Sequence, residues 1–247
     1  MGRTHKKDLF GNFEDKVNRS LEIIKMYSNP QEPYYFANSG GKDSTVLRHL
    51  LIRSGVEFEA VHNITTLGAP EQIKFIKKHH PETRLDPPEK NFRQLVLWKL
   101  YPPTRLARYC CEWLKERGGE GRLKILGLRR AESQNRAKDR REVEICYKDM
   151  SRTINPIYHW TDNDVWRYIN EQKLPYCKLY NQGYDRVGCM FCPMKPNRLR
   201  KQEATDYPGR KANIVKTFNL MLERRKEKEL DTTWKTGEEV FKWWLSG

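Results

Sequence analysis

No run of about eighteen apolar residues occurs in the 247-residue chain, so no transmembrane helix and no membrane partner are expected. The opening residues, MGRTHKKDLFGNFEDK, lack the apolar stretch of a secretory signal. Internal repeats and low-complexity linkers are also missing, and the length suits one large domain with at most an appended piece. Acidic residues are few beside basic ones: 32 Asp+Glu against 47 Lys+Arg, a formal charge of +15. The expected location is therefore the cytoplasm. In that reducing compartment the six cysteines read as ligands or reactive thiols rather than as disulfides.

Hydrophobic residues make up only 37% of the chain, yet 11% is aromatic and seven residues are Trp, which points to a folded core under a charged surface. A +15 excess fits either a solvated surface or a polyanionic partner, since clustered cations gain from counterion release. The second reading makes nucleic acid the expected partner. The stretch 193–228 carries 11 Lys+Arg against 4 Asp+Glu, and Trp234, Trp243 and Trp244 follow it. These tryptophans suit either base stacking or, more simply, packing of a last helix.

Apolar periodicity predicts a helix over 12–28, a strand over 34–37, a helix over 44–54 ended by Gly55, a strand over 58–62, a helix over 70–80 and a strand over 123–127. Residues 129–145 are so highly charged that they read as a functional loop. Thr161, with Asp164 three residues on, signals the start of another helix. Strands alternating with helices favour an α/β, doubly wound, mainly parallel sheet flanked by helices. Residues 1–192 are expected to form that domain, and 193–247 a basic, mainly helical extension packed on it.

The segment YYFANSGGKDSTVLRHLL joins the first strand to its helix through Ser39-Gly40-Gly41-Lys42-Asp43-Ser44. It is not a Walker A loop, which needs a Gly-x4-Gly-Lys-Ser/Thr spacing. It has a phosphate cradle's physics all the same. Two glycines let the backbone turn, helix N-terminal amides face an anion, Lys42 adds a cation, and Ser39 and Ser44 add hydroxyls. A plain strand-to-helix turn needs neither the lysine nor both serines.

The cysteines lie at 110, 111, 146, 177, 189 and 192, giving Cys-Cys, 77 intervening residues, then Cys-x2-Cys. Adjacent cysteines rarely both reach one tetrahedral zinc, because successive side chains diverge. An iron–sulfur cubane relaxes that demand, since each thiolate binds its own iron. A [4Fe-4S] cluster on Cys110, Cys111, Cys189 and Cys192 is the preferred reading, with zinc and simple burial of free thiols as its rivals. Cys146 and Cys177 have no partner spacing and read as packed thiols.

Ser39–Ser44 resembles the PP-loop of ATP pyrophosphatases, and the four cysteines resemble the cluster set of adenylyl sulfate reductases. GLRRAESQNR (127–136), NPIYHWTDNDVWRYI (155–169) and LPYCKLYNQGYDRVGCMFCP agree, so that residues 30–200 resemble the phosphoadenosine phosphosulfate (PAPS) reductase family of PP-loop proteins. The resemblance implies an adenine nucleotide alpha hydrolase-like fold, ATP and Mg²⁺ as ligands, and a nucleotide pocket. Ser39, Gly40, Gly41, Lys42, Asp43, Ser44, Gly127 and Arg129 would bind nucleotide, Asp43 helping to manage Mg²⁺. Lys42, Asp43, Arg129, Glu132 and Arg136 would be catalytic, and Arg130 would help clamp phosphate.

Two departures separate this chain from the sulfonucleotide reductases. No cysteine follows Cys192, where those enzymes carry a catalytic one, and the loop is intact, as in enzymes that split ATP. Both features resemble the sulfur-transfer subunits of DNA phosphorothioation systems. The expected activity is ATP cleavage to AMP and pyrophosphate, adenylating an acceptor for sulfur insertion. DNA is the expected acceptor ahead of tRNA, with a cysteine desulfurase as sulfur donor. The alternatives are an adenylyl sulfate or PAPS reductase, a tRNA thiolase, and a non-catalytic cluster scaffold.

Overall fold

The computed structural model of the chain describes residues 12–132, 137–138, 140–145 and 152–246. They divide into two compact units whose segments alternate along the chain. The first holds residues up to 62 together with 74–84 and 119–177, and the second holds 63–73, 85–118 and the chain from 178 onward.

The first unit opens with α1 (Phe13–Met26), started by a capping box between Asn12 and Asp15. Then come β1 (Tyr34–Ala37), α2 (Lys42–Ser54), β2 (Phe58–Asn63) and α3 (Pro70–His79). After β3 (Arg84–Asp86) and α4 (Phe92–Lys99), the chain returns in β4 (Lys124–Ile125), β5 (Val143–Ile145), β6 (Arg152–Ile154) and α5 (Asp162–Glu171). The strands form one sheet in the order β3-β2-β1-β4-β6-β5. The β1 pairings with β2 and β4, and the β4–β6 pairing, are parallel; β5 runs antiparallel to β6. The mainly parallel, helix-flanked α/β sheet expected from the sequence is therefore present. The charged stretch read as all loop contains the strand β5, whose cross-strand partners on β6 decide its conformation. The weak apolar signal of β3 and β6 had left them unassigned.

Burial explains why the chain folds this way. Val46, Leu47, Leu50 and Leu51 of α2 recur at helical spacing and pack with Phe36, Ala60, Ile125 and Ile154 of the sheet. On the same core, α1 meets α5 through Phe13, Trp160 and Tyr168. Ser20 fastens that contact by donating to the Pro156 carbonyl at 2.8 Å and accepting from the Trp160 indole at 3.0 Å. The Thr161–Asp164 box caps α5, and Asp164 also takes an ion pair at 3.0 Å from the buried Lys16.

In this strand order the chain leaves β1 toward β2 on one side and later enters β4 on the other. Such a switch point leaves a crevice at the carboxyl ends of the two strands. Residues 38–44 leave β1 there, and residues 126–129 leave β4.

The second unit is helical. It comprises α4, a π-helical turn over Cys111–Lys115, α6 (Asn197–Asp206), α7 (Pro208–Glu227) and α8 (Gly237–Ser246). Trp244 is its hub, packing against Phe92, Phe191, Phe218 and Phe241 in tilted and edge-to-face contacts while its indole donates to the Pro103 carbonyl at 2.6 Å. Trp234 and Trp243 pack on each other and on Tyr101. No described helix is long and apolar enough to cross a membrane.

Helix α8 starts where a side chain has no room. A Cβ on Gly237 would land on the Val215 carbonyl and 2.8 Å from the Asn219 amide, whereas one on Gly209 would meet nothing within 4 Å. Gly237→Ala is therefore expected to cost about 2–3 kcal/mol. Urea unfolding of Gly237→Ala beside Gly209→Ala checks this: equal midpoints would show that the α7–α8 contact gives way freely.

Candidate active site and thiol loop

Strand β1 ends at Ala37 and the chain turns on Gly40, whose φ of 68° favours glycine. Gly41, which has no side chain to cap with, then starts α2, its own N–H donating to Ser39 Oγ at 3.4 Å, and the helix N-terminus faces the crevice. Ser44 Oγ donates to the Gly41 carbonyl at 2.9 Å and lies 3.1 Å from Ser39 Oγ. The loop approaches the strand opposite closely: a Cβ on Gly127 would sit 3.0 Å from the Asp43 carbonyl carbon and oxygen. Glycine at 127 is thus a packing requirement of the loop.

Charged groups gather above it. Arg129 is buried; its Nε donates to Asp43 Oδ1 at 2.5 Å and its Nη2 to Asp162 Oδ1 at 2.9 Å. Lys42, also buried, puts its Nζ 3.1 Å from the same Asp162 oxygen and 3.8 Å from Asp43. Two cations and two carboxylates form one network, in which only Asp162 is well exposed. Burial raises the Asp43 carboxyl above its ordinary value against the pull of Lys42 and Arg129. At Asp162 burial also acts upward, but Lys42 and then Arg129 outweigh it and hold that carboxyl low.

Asn38 shapes the loop from below. Its Oδ1 accepts from Gly40 N–H at 3.0 Å, which fixes the carboxamide's orientation and aims Nδ2 at His80 Nδ1 (3.0 Å) and Thr83 Oγ1 (2.9 Å). His80 Nδ1 must then be the acceptor, so the ring is neutral with its proton on Nε2. Burial, with Arg48 adding to it, brings the His80 pKa down to about 4. His62 completes the arrangement, 2.7 Å from the Asn38 carbonyl.

The structure thus brings together Ser39, Gly40, Gly41, Lys42, Asp43, Ser44, Gly127 and Arg129. Glu132 sits in a short 3₁₀ turn and accepts from the Arg129 backbone at 3.2 Å, while Arg130 points to solvent. Arg136 lies outside the described residues, as does Cys146. Sequence reasoning missed Asn38, His80, Thr83 and Asp162. Asp162 had a signal, an acidic side chain in the first turn beside the Thr161 cap. His80 had none, because only the fold brings it to Asn38.

The other four expected ligands all belong to the second unit. Cys110 caps the π-helical turn that starts at Cys111, a feature often found at functional sites. Cys189 pairs with Gly68 in an isolated β-bridge, and Cys192 follows Phe191, whose φ of 56° is unusual for a phenylalanine. The four thiols are close enough to perturb one another electrostatically. The hydrogen bond from Cys110, aided by Arg108 and opposed by burial, lowers Cys111 to about 6, while the same hydrogen bond and burial push Cys110 up. Burial raises Cys189, with Thr65 partly offsetting it.

Among the described residues, no group of three or more His, Cys, Asp or Glu is placed to hold a metal ion. A cubane asks for something different, one thiolate per iron at separate corners. Four soft thiols with Arg108, Lys115 and Arg200 beside them match the ligand type and negative charge of such a cluster. Cys177 is buried.

The Cys-x2-Cys loop is held from α6. Buried Glu203 accepts from Phe191 N–H at 2.7 Å and pairs with buried Lys195, whose own N–H donates to the Cys192 carbonyl at 2.9 Å.

Two outcomes are expected from these networks. An unfolded histidine takes its proton near pH 6.5, whereas His80 resists until about pH 4. Between those values the unfolded chain binds the extra proton, so stability rises with pH there and is lost as pH falls. The loss is on the order of 3 kcal/mol. Thermal midpoints from pH 7 to 4 should fall more steeply for the wild type than for His80→Gln; parallel curves would remove His80 from the account. Lys195→Met strands a buried carboxylate and should cost about 3–5 kcal/mol in chemical denaturation. A loss under 1 kcal/mol would show that Glu203 is not held charged.

The sequence pattern of the phosphoadenosine phosphosulfate reductase domain family matches residues 33–195. The chain is 33% identical over 198 residues to the uncharacterized protein MJ0066 of Methanocaldococcus jannaschii, covering 74% of this chain and 41% of that protein. It is 27% identical over 222 residues to an adenosine 5'-phosphosulfate reductase of Bacillus thuringiensis, covering 83% and 90%. It spans 54% of a second Methanocaldococcus jannaschii relative, so with the first it matches only about half of each protein's length. Among solved structures, the PAPS reductase from Candida auris superposes with a TM-score of 0.53 at 14% identity, over 76% of this chain and 98% of that one. The Candida glabrata FMN adenylyltransferase in complex with ATP gives 0.52 at 14% identity, over 76% and 65%. These two likenesses concern the fold. With the family pattern covering well over half its residues, the chain belongs to the phosphoadenosine phosphosulfate reductase domain family.

Proposed function

We propose that the protein splits ATP to AMP and pyrophosphate, adenylating an oxygen of a nucleic-acid acceptor for replacement by sulfur. DNA phosphorothioate formation with sulfur from a cysteine desulfurase is the specific reaction. The observation that carries the ATP half is the 39–44 loop: an α2 N-terminus with no side-chain cap, opening at the switch point beside Lys42 and Arg129.

In this reading the ATP phosphates lie against the α2 amides and displace Asp162 as partner of Lys42 and Arg129. Both cations are already buried and oriented, so little reorganises as charge builds on the departing pyrophosphate. Asp43, facing the same crevice, would hold Mg²⁺. The acceptor oxygen attacks the α-phosphorus, the α–β bridge breaks, and pyrophosphate leaves. The terminal sulfur of a desulfurase persulfide then attacks the acceptor phosphorus, AMP leaves with the acceptor's oxygen, and an external thiol reductant cleaves the remaining S–S bond to leave the sulfur on the acceptor.

Cys110, Cys111, Cys189 and Cys192 would hold a [4Fe-4S] cluster, which when bound supplies irons able to carry sulfide or electrons. What the chain itself contributes is placement: the π-helical turn and the Glu203-held loop set the four thiols, and Arg108 favours the Cys111 thiolate. The acceptor assignment rests on the net +7 of 193–228 and on the charge of the whole chain. Reduction of adenylyl sulfate is the second reading, favoured by the identity to the Bacillus thuringiensis reductase.

Protein purified without oxygen should release pyrophosphate from Mg·ATP in the presence of DNA and desulfurase, and should bind iron with visible absorbance. Lys42→Ala should lower pyrophosphate release by at least about 100-fold, near 3 kcal/mol, while keeping its iron. An iron-bearing protein that leaves ATP intact and makes sulfite from adenylyl sulfate would replace this reading with the reductase.

A further inference from the structure

The second unit contains a cavity of about 420 Å³ that neither the loop nor the four cysteines occupy. Its volume lies in the range of small-molecule sites, about 300–1,000 Å³. The floor is apolar and aromatic: Phe92, Met190, Phe191 and Ile214 line it and are buried. Three cations line it too, Arg93 from the first turn of α4 and Arg210 and Lys216 from α7, and among the described residues no Asp or Glu does. Arg210 reaches the Thr66 carbonyl at 3.4 Å. Among the described residues, Arg93 and Lys216 have no ion-pair partner.

The backbone supplies an independent sign. Thr66 and Phe191 both line the cavity, and both are non-glycine residues at positive φ, 59° and 56°. Such conformations cost free energy and gather at functional sites. Phe191 lies between Cys189 and Cys192, so an occupant of this cavity rests against the thiol loop.

We infer that this cavity receives one unpaired nucleotide of a single-stranded nucleic-acid segment, its base against the apolar lining and its phosphates on Arg93, Arg210 and Lys216. The apolar lining can take the flat face of any base, with Phe92 and Phe191, buried against Trp244, supporting it from beneath. The side-chain amides of Asn91 and Asn213, also in the lining, can meet a base edge. Inorganic anions would leave the apolar floor unused, and an apolar ligand would leave three cations without a counter-charge. A base inside a duplex is stacked on its neighbours and cannot enter, so the nucleotide must be unpaired. The inference deepens the nucleic-acid half of the proposed function and rests on it. It needs no ATP turnover.

The test is fluorescence anisotropy of the whole protein, without ATP, using a labelled dT15, the same strand in a duplex, and free dTMP as competitor. The single strand should bind at least tenfold tighter than the duplex, and dTMP should compete only at far higher concentration. In Arg93→Ala/Lys216→Ala, two exposed positions, affinity should fall at least tenfold and the salt slope should flatten by about 1.4, since each phosphate contact on a single strand contributes about 0.7. A 2-aminopurine in the strand should brighten on binding to wild type and not to Asn213→Trp, which fills the cavity; thermal melting verifies that both variants fold. Unchanged affinity and slope in the double variant would overturn the proposal. So would a preference for duplex, dTMP binding as tight as the oligonucleotide, or 2-aminopurine brightening that survives Asn213→Trp. Binding as expected from a protein that never releases pyrophosphate would leave the cavity standing and sink the ATP reading alone.

Discussion

One carboxamide underlies the 39–44 loop. Asn38 uses both ends of its side chain and both backbone polar groups: Oδ1 on Gly40, Nδ2 on His80 and Thr83, the carbonyl on His62 and the N–H on Val61. A buried amide satisfied on every side has one orientation, and the turn it supports therefore has one shape. The placing of the α2 N-terminus, the approach of Gly127 and the reach of Lys42 all depend on that shape. The loop is preorganised before any ligand arrives, a requirement for electrostatic stabilisation to cost little at the moment of reaction.

The second unit meets a similar demand with charge instead of an amide. Glu203 and Lys195 are buried together, an expensive arrangement unless each finds its partner. Here the carboxylate also takes the N–H of Phe191 and so sustains a backbone conformation that phenylalanine seldom adopts. That conformation serves two surfaces at once, the thiol side of the loop and the cavity floor. Cations set the electrostatics of both. Arg108 favours the thiolate of Cys111, while Arg93, Arg210 and Lys216 face open space above an apolar floor.

The charges in the crevice beside the 39–44 loop carry a similar logic. Lys42 and Arg129 would be costly to bury alone, and Asp43 and Asp162 neutralise them. Asp162, the exposed member, is the one a phosphate can replace with least loss of burial. The site is thus stable without being closed to an anion.

The sequence by itself determined the strand–turn–helix around Ser39–Ser44, the capped start of α5 at Thr161, and the parallel core strands β1, β2 and β4. Each is local: glycine freedom, a side-chain cap and apolar spacing act within a few residues. Tertiary structure alone decided that β5 is a strand, because its ladder partners on β6 supply what its charged sequence does not. It also decided that His80 and Thr83 hold a loop about forty residues away, that Asp162 faces Lys42, that Glu203 holds Phe191, and that Arg93 and Lys216 flank one cavity. Those contacts join segments far apart in the chain, and no local pattern encodes which distant side chain will fill a polar group's last hydrogen bond.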